Sequence, residues 1–118
     1  MNLSEAQVDS MSQASARGFE RRLAEHLRTS FGERLVTLDD ERLAAAVSAC
    51  RKKAQGHGID LENDVRRYAE YAVSYGLAMD GDETVAWIGA VLRMEELSGT
   101  ERMDLLDAIE PRFLGSVA

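Results

Sequence analysis

Apolar residues recur every three or four positions along most of the chain, and no segment alternates apolar and polar residues for long. Side chains three and four apart share one face of an α-helix, whereas a strand needs a period of two. The single proline is Pro111, and the nine glycines fall mostly between the periodic segments, where helices end. This pattern predicts an all-α fold, a compact bundle of about five helices with a long N-terminal helix.

Side chains that can cap a helix precede each of four predicted helices, and two of them have the spacing of a capping box. The predicted N-caps are Ser4 (with Gln7), either Thr37 or Asp39, Asp60, and Ser98 (with Glu101). The residues expected to face the core are Val8, Met11, Ser15, Phe19, Leu23 and Leu27 in the first helix, Leu43, Ala46, Val47, Cys50 and Ala54 in the second, Leu61, Val65, Tyr68, Ala72 and Tyr75 in the third, Val85, Ile88, Val91 and Leu92 in the fourth, and Leu105, Leu106, Ile109 and Phe113 in the fifth.

The length of 118 residues is that of one small domain. No internal repeat, low-complexity tract or linker interrupts the chain. We therefore expect a single helical domain over residues 1–118, with Pro111 bending or ending the last helix just before that residue and residues 115–118 forming a loose tail.

The net charge of −7 is distributed unevenly. Residues 1–58 carry 9 basic and 8 acidic side chains, and residues 59–118 carry 5 basic and 13 acidic ones. This balance argues against binding to nucleic acid or to an anionic membrane, because both need clustered Lys and Arg. The acidic half is either a solvated face or a surface complementary to a basic partner.

Residues that could support catalysis or hold a cofactor are sparse. Cys50 lies on the inner face of the second helix, which is typical of a buried, inert thiol. His26 and His57 are 31 positions apart, and neither begins a cluster with the spacing of metal ligands. We therefore expect no metal, no cofactor and no enzymatic activity. The single cysteine and the absence of a basic segment followed by an apolar one at the start predict a cytoplasmic location.

Acidic and aromatic residues of the second half are the candidates for binding a partner. The predicted partner-binding residues are Tyr71, Asp80, Asp82, Glu83, Trp87, Glu95, Glu101, Asp104 and Asp107. The last three form an acidic ridge on the fifth helix, opposite its apolar stripe. Trp87 and Tyr71 lie beside the apolar stripes of their helices, as half-exposed interface anchors or as residues at the edge of the core.

Glu95 is in line with the apolar stripe of the predicted fourth helix, one turn beyond Leu92. A carboxylate on an apolar stripe is costly unless it reaches water or is paired. Either the stripe reaches solvent there, or Glu95 lies at an interface or binds an arginine such as Arg22 or Arg66.

Two motifs and a turn resemble those of a family of small all-helical bacterial proteins. The residues are Ala54-Gln55-Gly56-His57-Gly58-Ile59-Asp60, then Asp64-Val65-Arg66-Arg67-Tyr68, then Gly76 and the acidic turn before Trp87. His57 stands where the family has an aromatic residue, and the acidic turn lacks the family's phenylalanine and proline. Family members are often encoded beside effectors and spike components of type VI secretion systems, which implies an accessory role.

Together, these observations predict a non-enzymatic protein that binds another protein through the acidic face of its second half. The resemblance implies an immunity protein, an effector chaperone or an adaptor, with a basic toxin or a secretion component as partner. The alternative is a structural or regulatory helical bundle that associates with itself as a homodimer.

Overall fold

The structure, a computed structural model, describes the backbone of residues 3–110 and the side chains of residues 16–110. Its α-helices are α1 (Leu3–Ser30), α2 (Asp40–Gly56), α3 (Glu62–Tyr75), α4 (Ala86–Leu92) and α5 (Gly99–Ile109). Two short 3-10 helices, Met79–Gly81 and Glu83–Val85, lie between α3 and α4. No strand occurs within residues 3–110, so the predicted all-α fold of about five helices with a long N-terminal helix is confirmed.

The chain divides into two compact units, residues 1–48 and residues 49–118, and the division falls within α2. In the first unit the buried apolar residues are Phe19, Leu23, Leu27, Leu35, Leu43 and Val47. In the second unit α5 packs against α3 and α4, and α4 packs against both 3-10 helices. The fully buried residues of its core include Ile59, Tyr68, Met79, Ile88, Leu92, Met103 and Leu106. The single domain over residues 1–118 stays a prediction.

Two of the predicted helix starts have the expected caps. The Asp39 carboxylate accepts a hydrogen bond of 2.8 Å from the backbone N–H of Arg42, so Asp39 rather than Thr37 caps α2. Ser98 and Glu101 form a complete capping box at α5, in which each side chain accepts the backbone N–H of the other residue. The predicted Asp60 cap is wrong, because α3 has Leu61 at its N-cap position without a side-chain hydrogen bond.

The end of α2 sets the position of His57. The N–H of Ile59 binds the carbonyl of Ala54 and the N–H of Gly58 binds the carbonyl of Gln55, which is the hydrogen-bond pattern of a Schellman motif. Gly58 has a φ of +80°, a conformation that costs glycine little. Because Ile59 is fully buried, the turn is anchored in the core and holds His57 at the end of the helix.

The predicted core is wrong at several positions. Leu61 is 61% exposed, and Leu105 and Ile109 are only half-buried, whereas Met103 and Leu106 are fully buried. Periodicity locates the apolar arc of α5, but the neighbouring helices select which part of the arc is covered. The Ser4–Gln7 cap, the side chains of Val8, Met11 and Ser15, the roles of Pro111 and Phe113, and the tail 115–118 lie outside the described residues.

Gly89 allows α4 to approach the first 3-10 helix closely. A Cβ atom at this position would lie 2.5 Å from the backbone oxygen of Asp80, which is too close for any other residue without a shift of the backbone. The same oxygen accepts a hydrogen bond of 3.3 Å from Arg93 at the end of α4. These contacts fix the segment that precedes Trp87.

Within the described part of the chain, no helix is both long enough and apolar enough to cross a membrane.

Candidate functional site

Arg67 connects α3 to α5 through hydrogen-bonded ion pairs. Its Nη2 atom lies 2.9 Å from Asp104 Oδ1 and 2.6 Å from Asp107 Oδ2, and its Nη1 atom lies 3.6 Å from Asp64 Oδ1. Burial lowers the pKa of Arg67, but the hydrogen bonds to Asp107 and Asp104 outweigh burial and raise it above its ordinary value. One guanidinium therefore serves three carboxylates, and these four side chains together carry a charge of −2.

Two tyrosine hydroxyls extend this network along α3. The Tyr71 hydroxyl lies 2.7 Å from Asp107 Oδ1 and 3.2 Å from Glu110 Oε2, and the Tyr75 hydroxyl donates to Glu110 Oε1 at 3.1 Å. Glu110 is only 2% exposed. Burial, together with the hydrogen bond and the charge of Asp107, raises the pKa of Tyr71, so that its hydroxyl stays a donor at neutral pH.

The ring of Trp87 packs edge-on against both tyrosines. Its centroid lies 5.7 Å from that of Tyr75 with an interplanar angle of 87°, and 6.5 Å from that of Tyr71 with an angle of 75°. Tyr71 and Tyr75 are themselves stacked at 5.9 Å. These are favourable arrangements of aromatic quadrupoles, and they hold the half-buried Trp87 ring in one orientation.

We call these seven residues the aromatic–acidic cluster: Arg67, Tyr71, Tyr75, Trp87, Asp104, Asp107 and Glu110. Four of the nine predicted partner-binding residues, Tyr71, Trp87, Asp104 and Asp107, belong to it. Of the two alternatives for Tyr71, its exposure of 6% favours a residue at the edge of the core, where its ring packs against Trp87. Asp104 keeps 66% of its side chain exposed, as expected for the ridge.

Three predicted partner-binding carboxylates have structural roles elsewhere. Glu101, a member of the predicted acidic ridge, completes the capping box of α5 that its spacing from Ser98 predicts. Asp82 accepts the backbone N–H of Thr84 at 2.9 Å and its hydroxyl at 2.7 Å, which caps the second 3-10 helix and lowers the pKa of Asp82. Asp80 binds Lys53 and His57.

The other two are exposed: Glu83 precedes α4 along the chain and Glu95 follows it. Glu83 begins the second 3-10 helix, four residues before Trp87. Glu95 lies in the turn after Leu92, where α4 has already ended, so the predicted carboxylate on an apolar helical stripe does not occur. Arg66, one of its suggested partners, instead binds Glu70 and Asn63.

Arg67, Tyr75 and Glu110 were not predicted as site residues. One signal was present in the sequence: Arg67, Tyr71 and Tyr75 are spaced by four residues, so they lie on one face of α3 over successive turns. Nothing comparable marks Glu110, because its role depends on the two tyrosines that α3 brings to the end of α5.

A second polar group surrounds Asp80. Its Oδ1 atom lies 2.9 Å from Lys53 Nζ and its Oδ2 atom 3.0 Å from His57 Nε2. Burial raises the pKa of Asp80, but the hydrogen bonds from Lys53 and His57 outweigh burial and lower it below its ordinary value. The side chain of His57 is only 22% exposed and helps attach the first 3-10 helix to α2.

Tyr68 and Cys50, near this group, are both buried. The Tyr68 ring lies 6.1 Å from that of His57, and its hydroxyl has no hydrogen-bond partner among the described residues. Burial raises the pKa of Cys50 to about 11, which keeps the thiol protonated and unreactive, as the sequence predicts. Among the residues described, no three His, Cys, Asp or Glu side chains are arranged to hold a metal ion.

Comparison of the chain with protein-family models, with curated proteins and with solved structures finds no match.

Proposed function

We propose that this protein binds another protein, without catalysis, through a surface centred on Trp87 and the aromatic–acidic cluster. The proposal depends mainly on one observation: four predicted partner-binding residues belong to a single network of ring contacts, hydrogen bonds and ion pairs. They are Tyr71, Trp87, Asp104 and Asp107. Tryptophan and tyrosine are the side chains most enriched among residues that dominate interface energies.

The rigidity of the cluster supports this proposal. Trp87 is packed against two tyrosines whose hydroxyls bind Asp107 and Glu110. A side chain that is already ordered loses little conformational entropy when a partner covers it, so more of the contact energy appears as affinity. Exposed Ala86 and Ala90 lie one residue before and three residues after Trp87, and their small side chains permit close approach to the ring.

The partner that fits this surface is basic. Asp104 and Asp107 keep partial exposure although Arg67 binds them, and Arg67 does not balance the charge of its three carboxylates. Exposed Glu83 and Glu95 add negative charge on both sides of α4. Such a field accelerates association with a basic surface and weakens as salt is added.

The biological role we propose is that of an accessory protein for a secreted bacterial effector: an immunity protein, a chaperone or an adaptor. This part of the proposal depends on the sequence resemblance. An immunity protein would protect a cell that expresses the cognate toxin, whereas a chaperone or adaptor would raise the abundance or secretion of the effector without protecting against it.

The decisive experiment is affinity capture from the native host with the wild-type protein and two aromatic variants. Trp87→Ala should lose the partner, whereas Phe31→Ala, a half-buried aromatic residue of the first unit, should retain it. Retention by both variants would contradict the proposal.

Charge is tested by a second pair of variants. Glu83→Lys/Glu95→Lys should slow association of the purified pair and reduce its salt dependence, and Glu33→Lys/Glu41→Lys, with the same charge change on exposed residues of the first unit, should not. An association rate that is indifferent to salt and to both variants would show that the partner is not recognised by charge.

A further inference from the structure

A groove in the first unit, distant in sequence from the aromatic–acidic cluster, has its own pattern of charge. It lies between α1 and the start of α2 and has a volume of about 570 Å³. Its α1 wall extends from Arg17 to Thr29, which is about 18 Å at the rise of an α-helix. Apolar atoms of Ala24, Leu43 and Ala44 contribute to its lining. The groove therefore has the length of about three helical turns.

Three exposed charged residues lie along this wall at intervals of one turn, and Glu20, which also lines the groove between Arg17 and Arg21, is half-buried and already has an interaction of its own. Arg17, Arg21 and Glu25 are spaced by four residues, line the groove and are exposed. The side chain of none of the three has a hydrogen bond or an ion pair with another residue in the described part of the chain. The exposed charges of this wall are therefore basic, basic and acidic in succession.

The opposite end of the groove is already paired. Arg28 donates to the carbonyl of Leu35 at 2.9 Å and to Asp40 Oδ1 at 3.0 Å, which joins the end of α1 to the start of α2. These two side chains therefore stabilise the groove itself. The uncompensated charges are confined to the part of the wall formed by residues 17–25.

We propose that this groove binds an amphipathic α-helix of a partner protein that carries two acidic residues and one basic residue on successive turns. The acidic residues would face Arg17 and Arg21, and the basic residue would face Glu25. The apolar face of the partner helix would cover Ala24, Leu43 and Ala44, whose small or buried side chains allow close approach. Recognition of an amphipathic helix by an apolar groove with a charged rim is a common mode of peptide binding.

The inference goes beyond the proposed function, because it assigns a second binding surface of different chemistry to the other unit. The aromatic–acidic cluster selects a basic surface, whereas the groove selects a helix that is acidic over two turns. A protein with both surfaces can hold two different partners, as an adaptor does.

The test uses two helical peptides of identical composition. Both carry an apolar face, and both have charged residues at positions i, i+4 and i+8. The probe has the order Glu, Glu, Lys, and the control has the order Glu, Lys, Glu. In one of the two helix directions, the probe places an opposite charge against each of Arg17, Arg21 and Glu25. The control places a like charge against Arg21 and Glu25 in both directions. Binding is followed by NMR chemical-shift perturbation over residues 17–44 of the full chain, which detects weak complexes.

The wild-type protein should bind the probe about tenfold more tightly than the control peptide, because several weak ion pairs are replaced by repulsions. The variant Arg21→Glu/Glu25→Arg exchanges two charges without changing the net charge, and it should prefer the control peptide. The variant Glu33→Arg/Arg34→Glu makes the same exchange on exposed residues that do not line the groove, and it should behave as wild type.

Equal binding of the two peptides, absence of binding, or an unchanged preference in the exchanged variant would overturn the inference. A second copy of the chain in the groove would also overturn it, and would appear in light scattering as a dimer that Arg21→Glu/Glu25→Arg dissociates. None of these measurements involves Trp87, so a failure of this inference is distinguishable from a failure of the proposed function.

Discussion

The two candidate surfaces use charge in opposite ways. In the aromatic–acidic cluster the charged groups bind one another: Arg67 holds Asp104 and Asp107, and the tyrosine hydroxyls bind Asp107 and Glu110. In the α1 groove, Arg17, Arg21 and Glu25 have no such contacts within the described residues. Paired charges contribute to folding and hold neighbouring rings in place, whereas unpaired exposed charges contribute little to folding and can select a partner. The comparison predicts that equivalent substitutions have very different effects in the two places.

The largest difference is expected between Arg67→Met and Arg17→Met. Loss of Arg67 leaves Asp64, whose side chain is 3% exposed, without its nearby cation, and should lower the free energy of unfolding by about 3 kcal/mol. Arg17→Met removes an exposed charge that has no ion pair with a described residue, and it should change stability by less than about 0.5 kcal/mol. Urea unfolding measures both values. Equal effects would contradict the distinction between the two surfaces.

A smaller effect is expected when only a hydrogen bond is lost. Tyr71→Phe keeps the ring against Trp87 but removes the donor to Asp107 and Glu110, and should cost about 1.5 kcal/mol. Trp87 is the only tryptophan, so its fluorescence reports whether the ring stays in place. An unchanged emission maximum with reduced stability would show that the loss of stability comes from the missing hydrogen bond and not from altered packing of the Trp87 ring. Unchanged stability would show that Tyr71 acts through its ring alone.

The smallest effect concerns acid stability at Asp80. Because the folded-state pKa of Asp80 is lowered, its ionised form stabilises the fold above the unfolded-state pKa of about 4. This contribution is lost as the pH falls through the lower folded-state value. Asp80→Asn should therefore be less stable than wild type at pH 7 by about 1 kcal/mol, and the two should converge as the pH falls below the lowered pKa of Asp80 in the folded state. Parallel stability curves from pH 2 to pH 7 would rule out this role.

The helices themselves could largely be predicted from the sequence. The spacing of Phe19, Leu23 and Leu27 predicts a buried stripe on α1, and all three are buried. Asp39 and Ser98 also act as the caps that local spacing suggests. These features are predictable because they depend on contacts within one helical turn or on a repeat that a long helix continues.

The candidate site could be predicted only in part. Tyr71, Trp87, Asp104 and Asp107 were identified as individual residues, but their connection through Arg67 was not. Glu101 was assigned two roles, in the acidic ridge and in the capping box with Ser98, and the structure confirms the capping box. In α4, by contrast, the predicted inward-facing residues Ile88, Val91 and Leu92 are all buried.

Composition and local spacing specify the fold class, the order of the helices and the concentration of acidic charge in residues 59–118, so these three properties could be read directly from the chain. The tertiary structure alone decided which carboxylates are free and which are bound. Asp107, Glu83 and Glu110 belong to the same acidic half of the chain. Asp107 is bound by Arg67, Glu83 is exposed and Glu110 is buried. The reason is that the environment of a charge depends on residues about 40 positions away, such as Arg67 and Tyr71, which only helix packing brings within hydrogen-bonding distance.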